Sequence, residues 1–185
     1  AGVLGQEMGA VGDALLVGDR APEVTTVAIS PAFFQTVGVQ LRRGRAFHES
    51  DGLPGSENVI VNEKLAAALF ANEDPIGRRI RFVPGEARPG QPAPPVPLWR
   101  TIVGISPTIR QSSPQDAELP AVMYVPHRQD TPSFGSILVR SRLAPSAVMS
   151  AVRRELAAVD PDQPIFTVQT IDDMLSQTMW PYRVF

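Results

Sequence analysis

Residues 59 to 82 carry the most readable pattern of apolar and polar positions in the chain. Val59-Ile60-Val61 is a β-branched run suited to a buried strand. Asn62 follows where a side-chain oxygen can accept from the free amides of a helix, so it is the predicted N-cap. Leu65 and Leu69, with Ala66 and Phe70, recur at a spacing of four and form one apolar stripe beside the polar Glu63, Lys64 and Asn72. That predicts a short helix lying on a core. Asp74-Pro75-Ile76-Gly77 has Asp first, Pro second and Gly fourth, which predicts a type I turn. Beyond it Ile80 and Phe82 alternate with Arg79 and Arg81, the mark of a half-buried strand.

The same reading extends along the chain. Val24 to Ile29 is a predicted strand. Ser30-Pro31 supplies an N-cap and a tolerated first-turn proline, Phe33, Phe34 and Val37 face a core, and Gly38 closes the helix as a left-handed C-cap. Val39 to Leu41 is expected to be a short strand and His48 to Ser56 a polar loop. Residues 84 to 97 hold six prolines and two glycines, which predicts an extended surface loop or hairpin tip. Trp99 to Ser106, Val122 to Val125, Ser136 to Ser141 and Ile165 to Val168 are further predicted strands, with an irregular loop at 107 to 120. Pro145 opens a helix whose Val148, Val152, Leu156 and Val159 share a stripe, and Asp160-Pro161 stops it. Thr170 with Asp173 three residues on resembles a capping box, and Ile171, Met174, Leu175, Thr178 and Met179 share a face of the helix beyond. Mixed strands and helices, several joined by loops too short for crossovers, define an α+β fold without internal repeats.

Composition narrows the function. The 185 residues suffice for one sizeable core or two small ones, and a formal net charge of −2 with scattered basic residues argues against a nucleic-acid partner. The absence of cysteine removes disulfides, thiolate metal sites and a cysteine nucleophile. No apolar run reaches the ~18 residues of a bilayer span, and no signal peptide opens the chain. A membrane protein with this segment would carry it as a soluble part, and the Gly- and Ala-rich residues 1 to 23 read as a truncated beginning.

Reactive chemistry is sparse. The two histidines, His48 and His127, fall in predicted loops. His48-Glu49-Ser50-Asp51 offers three kinds of metal ligand, but adjacent loop residues rarely point at one centre and no H-x-x-x-H spacing occurs. No G-x-S-x-G elbow precedes a helix, and neither G-x-G-x-x-G nor G-x-x-x-x-G-K-[ST] is present. The pairs Asp172-Asp173 and Asp160/Asp162 read more simply as helix-end and turn residues than as an acid and base. Trp180, Tyr182 and Arg183 fit either a packed tail or a bilayer interface next to a transmembrane helix.

Several blocks together resemble one family. Ser30-Pro31-Ala32-Phe33-Phe34, Gly38-Val39 and Leu41-Arg42-Arg43-Gly44-Arg45-Ala46-Phe47 are similar to the S-P-x-[FY]-F…G-[IV]…L-x-x-G-R-x-F run of extracytoplasmic domains in MacB-like and FtsX-like ABC-transporter permeases. Val61-Asn62-Glu63, Leu69-Phe70, Asp74-Pro75-Ile76-Gly77-Arg78, Ile102-Val103-Gly104-Ile105, Val122-Met123-Tyr124-Val125-Pro126, Leu138-Val139-Arg140, Val152-Arg153 and Asp160-Pro161 resemble later blocks, in the same order. Ser106-Pro107-Thr108 and the proline-rich loop depart from the pattern.

The resemblance implies a porter-like subdomain split in sequence, residues 1–29 and 106–185, with a second small α/β subdomain inserted at 30–105. It implies a non-catalytic, cofactor-free periplasmic domain that transmits ATP-driven motion to substrate export or to a periplasmic partner. It also implies attachment to the bacterial inner membrane through transmembrane helices, a cytoplasmic ABC ATPase, homodimerisation of the whole permease, and a membrane-proximal place for Trp180, Tyr182 and Arg183. Two alternatives remain open on sequence alone: a secreted small-molecule-binding module, and a hydrolase using His48 or His127.

Overall fold

In the computed structural model, residues 10–12, 24–71, 73–82, 98–109, 119–129, 135–162, 164–165 and 168–174 are described. In chain order the elements are β1 (Ala10–Gly12), β2 (Val24–Ile29), α1 (Phe33–Val37), β3 (Arg43–Gly44), β4 (Asn58–Asn62), α2 (Glu63–Phe70), β5 (Arg79–Phe82), β6 (Arg100–Ser106), β7 (Ala121–Pro126) and α3 (Pro145–Val159). The strands form one mixed sheet in the order β1-β5-β6-β4-β7-β2, with β3 pairing β6. β4 runs parallel to β6 and antiparallel to β7, while β2 runs parallel to β7 over six residue pairs.

The central strands carry apolar runs, residues 59–61 in β4 and 122–125 in β7, because both faces of the sheet are covered. On one face Val59, Val61, Ile80, Ile102, Met123 and Val125 pack with Leu65, Ala66 and Phe70 of α2. On the other, Ile60, Val122 and Tyr124 pack with Phe34 of α1 and with Phe47. The Phe34 and Tyr124 rings meet edge to face with centroids 5.1 Å apart. Alternate residues of β4 therefore serve opposite cores, and none of its apolar side chains faces water.

Local chemistry places several elements as expected. Asn62 Oδ1 accepts from Leu65 N at 2.9 Å and caps α2. Gly38 is left-handed, with φ 75°, at the end of α1. Pro145 opens α3, and Thr170 and Asp173 bond reciprocally, the Asp173 amide to Thr170 Oγ1 at 3.0 Å and the Thr170 amide to Asp173 Oδ2 at 3.4 Å.

Other expectations are corrected. The N-cap of α1 is Ala32 and no side chain caps it; Pro31 and Ala32 form a turn in which the Ser30 carbonyl accepts from Phe33 N at 3.1 Å. The strand expected at 39–41 lies instead at Arg43–Gly44. Its pairing falls where two glycines let backbones approach: a Cβ on Gly44 would collide with the Val103 carbonyl, and one on Gly104 would lie 2.5 Å from the Arg45 carbonyl oxygen. The turn after α2 spans Pro75 to Arg78, closed by Arg78 N donating to Pro75 O at 3.1 Å. Gly77 then occupies the third position with φ 80°, as a type II turn requires, and Asp74 stands outside it, its Oδ1 accepting from Ile76 N at 3.0 Å. Residues 136–141 form no strand: Ile137 and Val139 alternate as a strand would, but no ladder partner meets them among the described residues. β1 was not foreseen; three residues paired to β5 are too few to show a period.

Residues 1–112 and 116–136 make up one compact unit, and 113–115 with 137–185 a second. The first contains the whole sheet with α1 and α2. In the second, α3 has no fully buried residue among those described; Val148, Val152 and Leu156 are half-buried, but Val159 at the end of the same stripe is 85% exposed. The proline-rich segment 84–97 lies outside the described residues. Ile165 and Val168 are irregular, and the two residues between them are likewise outside.

Candidate functional site

The two ends of β4 each hold a polar centre. At its C-terminal end Asn62 is fully buried. Its Oδ1 accepts from both Leu65 N and Val122 N, at 2.9 and 3.0 Å, and its Nδ2 donates to Pro120 O at 2.9 Å. One amide side chain thus joins the start of α2 to β7. Lys64 strengthens the same junction by donating to Leu119 O at 2.7 Å.

At the N-terminal end Asn58 Nδ2 donates to Asp51 Oδ1 at 2.6 Å. Asp51 is 3% exposed, and Arg45 grips it in a fork, with Nη1 to Oδ2 at 2.6 Å and Nη2 to Oδ1 at 3.0 Å. The His48 amide donates to Oδ2 at 2.7 Å. Burial pushes the Asp51 carboxyl up, but the Arg45 fork, the His48 amide and Asn58 outweigh it and hold it at about 2. Arg45 is raised in turn, first by its bond to Asp51. This carboxylate is a structural pin for the loop 48–57, and all its acceptor capacity is in use.

That pin decides how the histidines can act. His48 and His127, remote in sequence, line one shallow hollow with Pro31, Glu49, Asp51, Pro126 and Arg128. The structure brings them together, and of the two carboxylates in the hollow Asp51 is held by Arg45 and Asn58 while Glu49 lies 3.6 Å from Arg128. Among the described residues no group of three or more metal-ligating side chains occurs. Asp160 and Asp173 act as foreseen: Asp160 Oδ1 accepts from Asp162 N at 3.0 Å in a turn, and Asp173 caps Thr170. Trp180, Tyr182 and Arg183 lie outside the described residues.

A groove of about 230 Å³ runs along the outer flank of α2, floored by Ala66, Phe70 and Ile105 and bordered by Arg42, Arg43 and Glu63. Its rim is self-neutralised: Arg42 pairs with Glu63 at 3.2 Å and Arg43 with Asp74 at 2.6 Å, all four at least half exposed or nearly so. Such exposed pairs contribute about 0–1 kcal/mol each and leave the groove without a directing charge. Sequence reasoning missed two features here. The loop read as solvated contains a buried carboxylate, for which the only linear signal was an Arg six residues before it. The second is a cluster in which Arg79 and Arg81 stack against Trp99.

The fold and its polar centres define a class: a mixed-sheet α+β module whose buried polar groups hold elements together, with no reactive group assembled among the described residues. The profile of the MacB-like periplasmic core domain family matches residues 4–159, and the chain belongs to that family. Membership places it with transporter permease domains of the periplasmic side of the inner membrane, a family of transporter parts and not of enzymes. Among the described residues no helix is long and apolar enough to cross a membrane.

The macrolide export ATP-binding/permease protein MacB of Aggregatibacter actinomycetemcomitans is 30% identical over 69 residues, which are 37% of this chain and 11% of that protein. The periplasmic region of MacB from Actinobacillus actinomycetemcomitans superposes with a TM-score of 0.56 at 17% identity, covering 94% of this chain and 74% of that one. The extracellular domain of the noncanonic ABC-type transporter YknZ from Gram-positive bacteria gives 0.50 at 20% identity, covering 91% and 84%. At these identities the structural likeness speaks for the fold. It agrees with the α+β class read from the sequence.

Proposed function

We propose that the chain is the force-transmitting, non-catalytic part of a MacB-like permease, coupling ATP-driven movement of membrane helices to substrate export or to a periplasmic partner. The family match over residues 4–159 carries this reading. The physical support is the sheet itself: it is close-packed on both faces, and α2 is tied to β7 through Asn62, a construction suited to passing on a displacement as a unit. Residues 30–105 form the inserted subdomain and 1–29 with 106–185 the porter-like part. Both parts contribute to one continuous sheet: β2 and β7, outside 30–105, pair with each other over six residues, β7 meets β4 of the insertion over two, and β1 meets β5 of the insertion over three. The cytoplasmic ATPase, the homodimer of the whole permease and the membrane-proximal place of Trp180, Tyr182 and Arg183 belong to the same proposal.

The test has two arms. The coding sequence should show about 20 consecutive apolar residues shortly after Phe185 and another such run before Ala1. In the reconstituted permease with its ATPase, removal of this domain should abolish export while basal ATP hydrolysis persists. Polar flanks, or export that survives the removal, would overturn the proposal.

A further inference from the structure

Arg79 and Arg81 lie two residues apart on β5, so their side chains leave the same face of the sheet, about 7 Å apart at the backbone. Ile80 between them points into the core and is 1% exposed, which fixes the strand's rotation. Both guanidiniums converge on one half-buried ring: the central carbons of Arg79 and Arg81 are 5.2 and 4.7 Å from the Trp99 centroid. The two heads are therefore no more than about 10 Å apart, held by cation–π contact and not left to wander. Among the described residues neither forms an ion pair with a carboxylate. Glu57 is near enough to sense Arg100 and Arg79, but its carboxyl is engaged first by the Gly55 amide at 2.9 Å.

This arrangement differs from that of five other arginines on the same unit. Arg42, Arg43, Arg45 and Arg78 each have a carboxylate within 3.2 Å, and Arg128 has one at 3.6 Å. Arg79 and Arg81 keep their planar donor forks open, and the ring reduces the entropy lost when those forks are engaged. A chain of net charge −2 thus sets two guanidiniums without a carboxylate ion pair around one tryptophan ring. That geometry suits a small ligand with two neighbouring anionic groups better than a flat anionic surface, which would need a broad basic patch and would meet the acidic Glu57, Glu73 and Asp74 on the same unit.

We propose that Arg79, Trp99 and Arg81 form a binding site for a ligand carrying two adjacent phosphoryl groups, each taken by one guanidinium fork. The site is independent of the permease reading. Trp99 reports on it directly, because the chain has two tryptophans and W180F leaves Trp99 as the single emitter. Inorganic pyrophosphate added to W180F at constant ionic strength should change the Trp99 emission saturably, with orthophosphate at least about 10-fold weaker. R79Q/R81Q should abolish the change while still melting in one cooperative transition, and R79K/R81K, which keeps charge but loses the fork, should restore it only in part. Lack of saturation with pyrophosphate, or equal saturation in R79Q/R81Q, would overturn the site. Binding to phosphatidylglycerol vesicles without any response to pyrophosphate would overturn it too, in favour of a membrane-surface patch.

Discussion

The two ends of β4 solve the same problem in different ways. Each buries a polar side chain beside an asparagine or is itself one, yet Asn62 is neutral and Asp51 is charged. Asn62 meets its cap partner three residues away, and that partnership is written in local order. Asp51 is completed by Arg45, His48 and Asn58, and it stays buried only because an opposite charge and two N–H donors reach it together. A neutral hub tolerates burial when its hydrogen bonds are complete. A charged one needs them and a counter-ion.

The largest effect is expected at the neutral end. Asn62→Ala removes the cap of α2 and leaves the buried Val122 amide and the part-buried Pro120 carbonyl without their partner. A missing cap costs about 0.5–2 kcal/mol and each orphaned buried group about 1–3, so urea unfolding should show a loss of about 3 kcal/mol or more. A loss below about 1 kcal/mol would break the comparison, since Asn62 would then be a simple surface cap.

At the charged end Asp51→Asn should cost about 2 kcal/mol, less than Asn62→Ala because Arg45 is 40% exposed and water can take over part of its coordination. The same variant separates the two hubs by pH. The folded Asp51 carboxyl is held near 2, below its ordinary value, so its contribution is fully present above about 4 and is lost as pH falls toward 2. Chemical denaturation from pH 5 to 2 should show a loss of about 2 kcal/mol assigned to this residue. The loss should vanish in Asp51→Asn and persist in Asn62→Ala; persistence in both would remove Asp51 as its source.

The smallest effect calibrates the local terms. At Gly77 nothing lies within 4 Å of an added Cβ, so Gly77→Ala should cost only the left-handed backbone, about 1 kcal/mol, in the same urea assay. A cost near that of Asn62→Ala would mean that the turn, and not the hub, sets the position of β5.

The helices α2 and α3, the strands β2, β4, β6 and β7 and the caps at Asn62 and Gly38 were legible because each depends on neighbours within four residues or on a period along one segment. The turn at 75–78 was read one residue out of register. Asp, Pro and Gly fit two turn types, and only the sign of φ at Gly77 separates them. The strand at 43–44 was displaced from 39–41 because strand position depends on where a partner backbone can approach, here Gly104. For the candidate sites the division is sharper. The two histidines were visible as residues but not as neighbours, and the Asp51 pin and the Arg79–Trp99–Arg81 cluster were not visible at all.

The sequence by itself determined the α+β class, the capped helix after β4, the lack of nucleotide and elbow motifs and the family. These rest on short-range order and on blocks that keep their sequence. Tertiary structure alone decided which polar residues are buried, since burial is a property of what covers a residue and not of the residue. It made His48 to Ser56 a pinned loop in place of a solvated one, joined α2 to β7 through Asn62, and left Arg79 and Arg81 open beside one tryptophan.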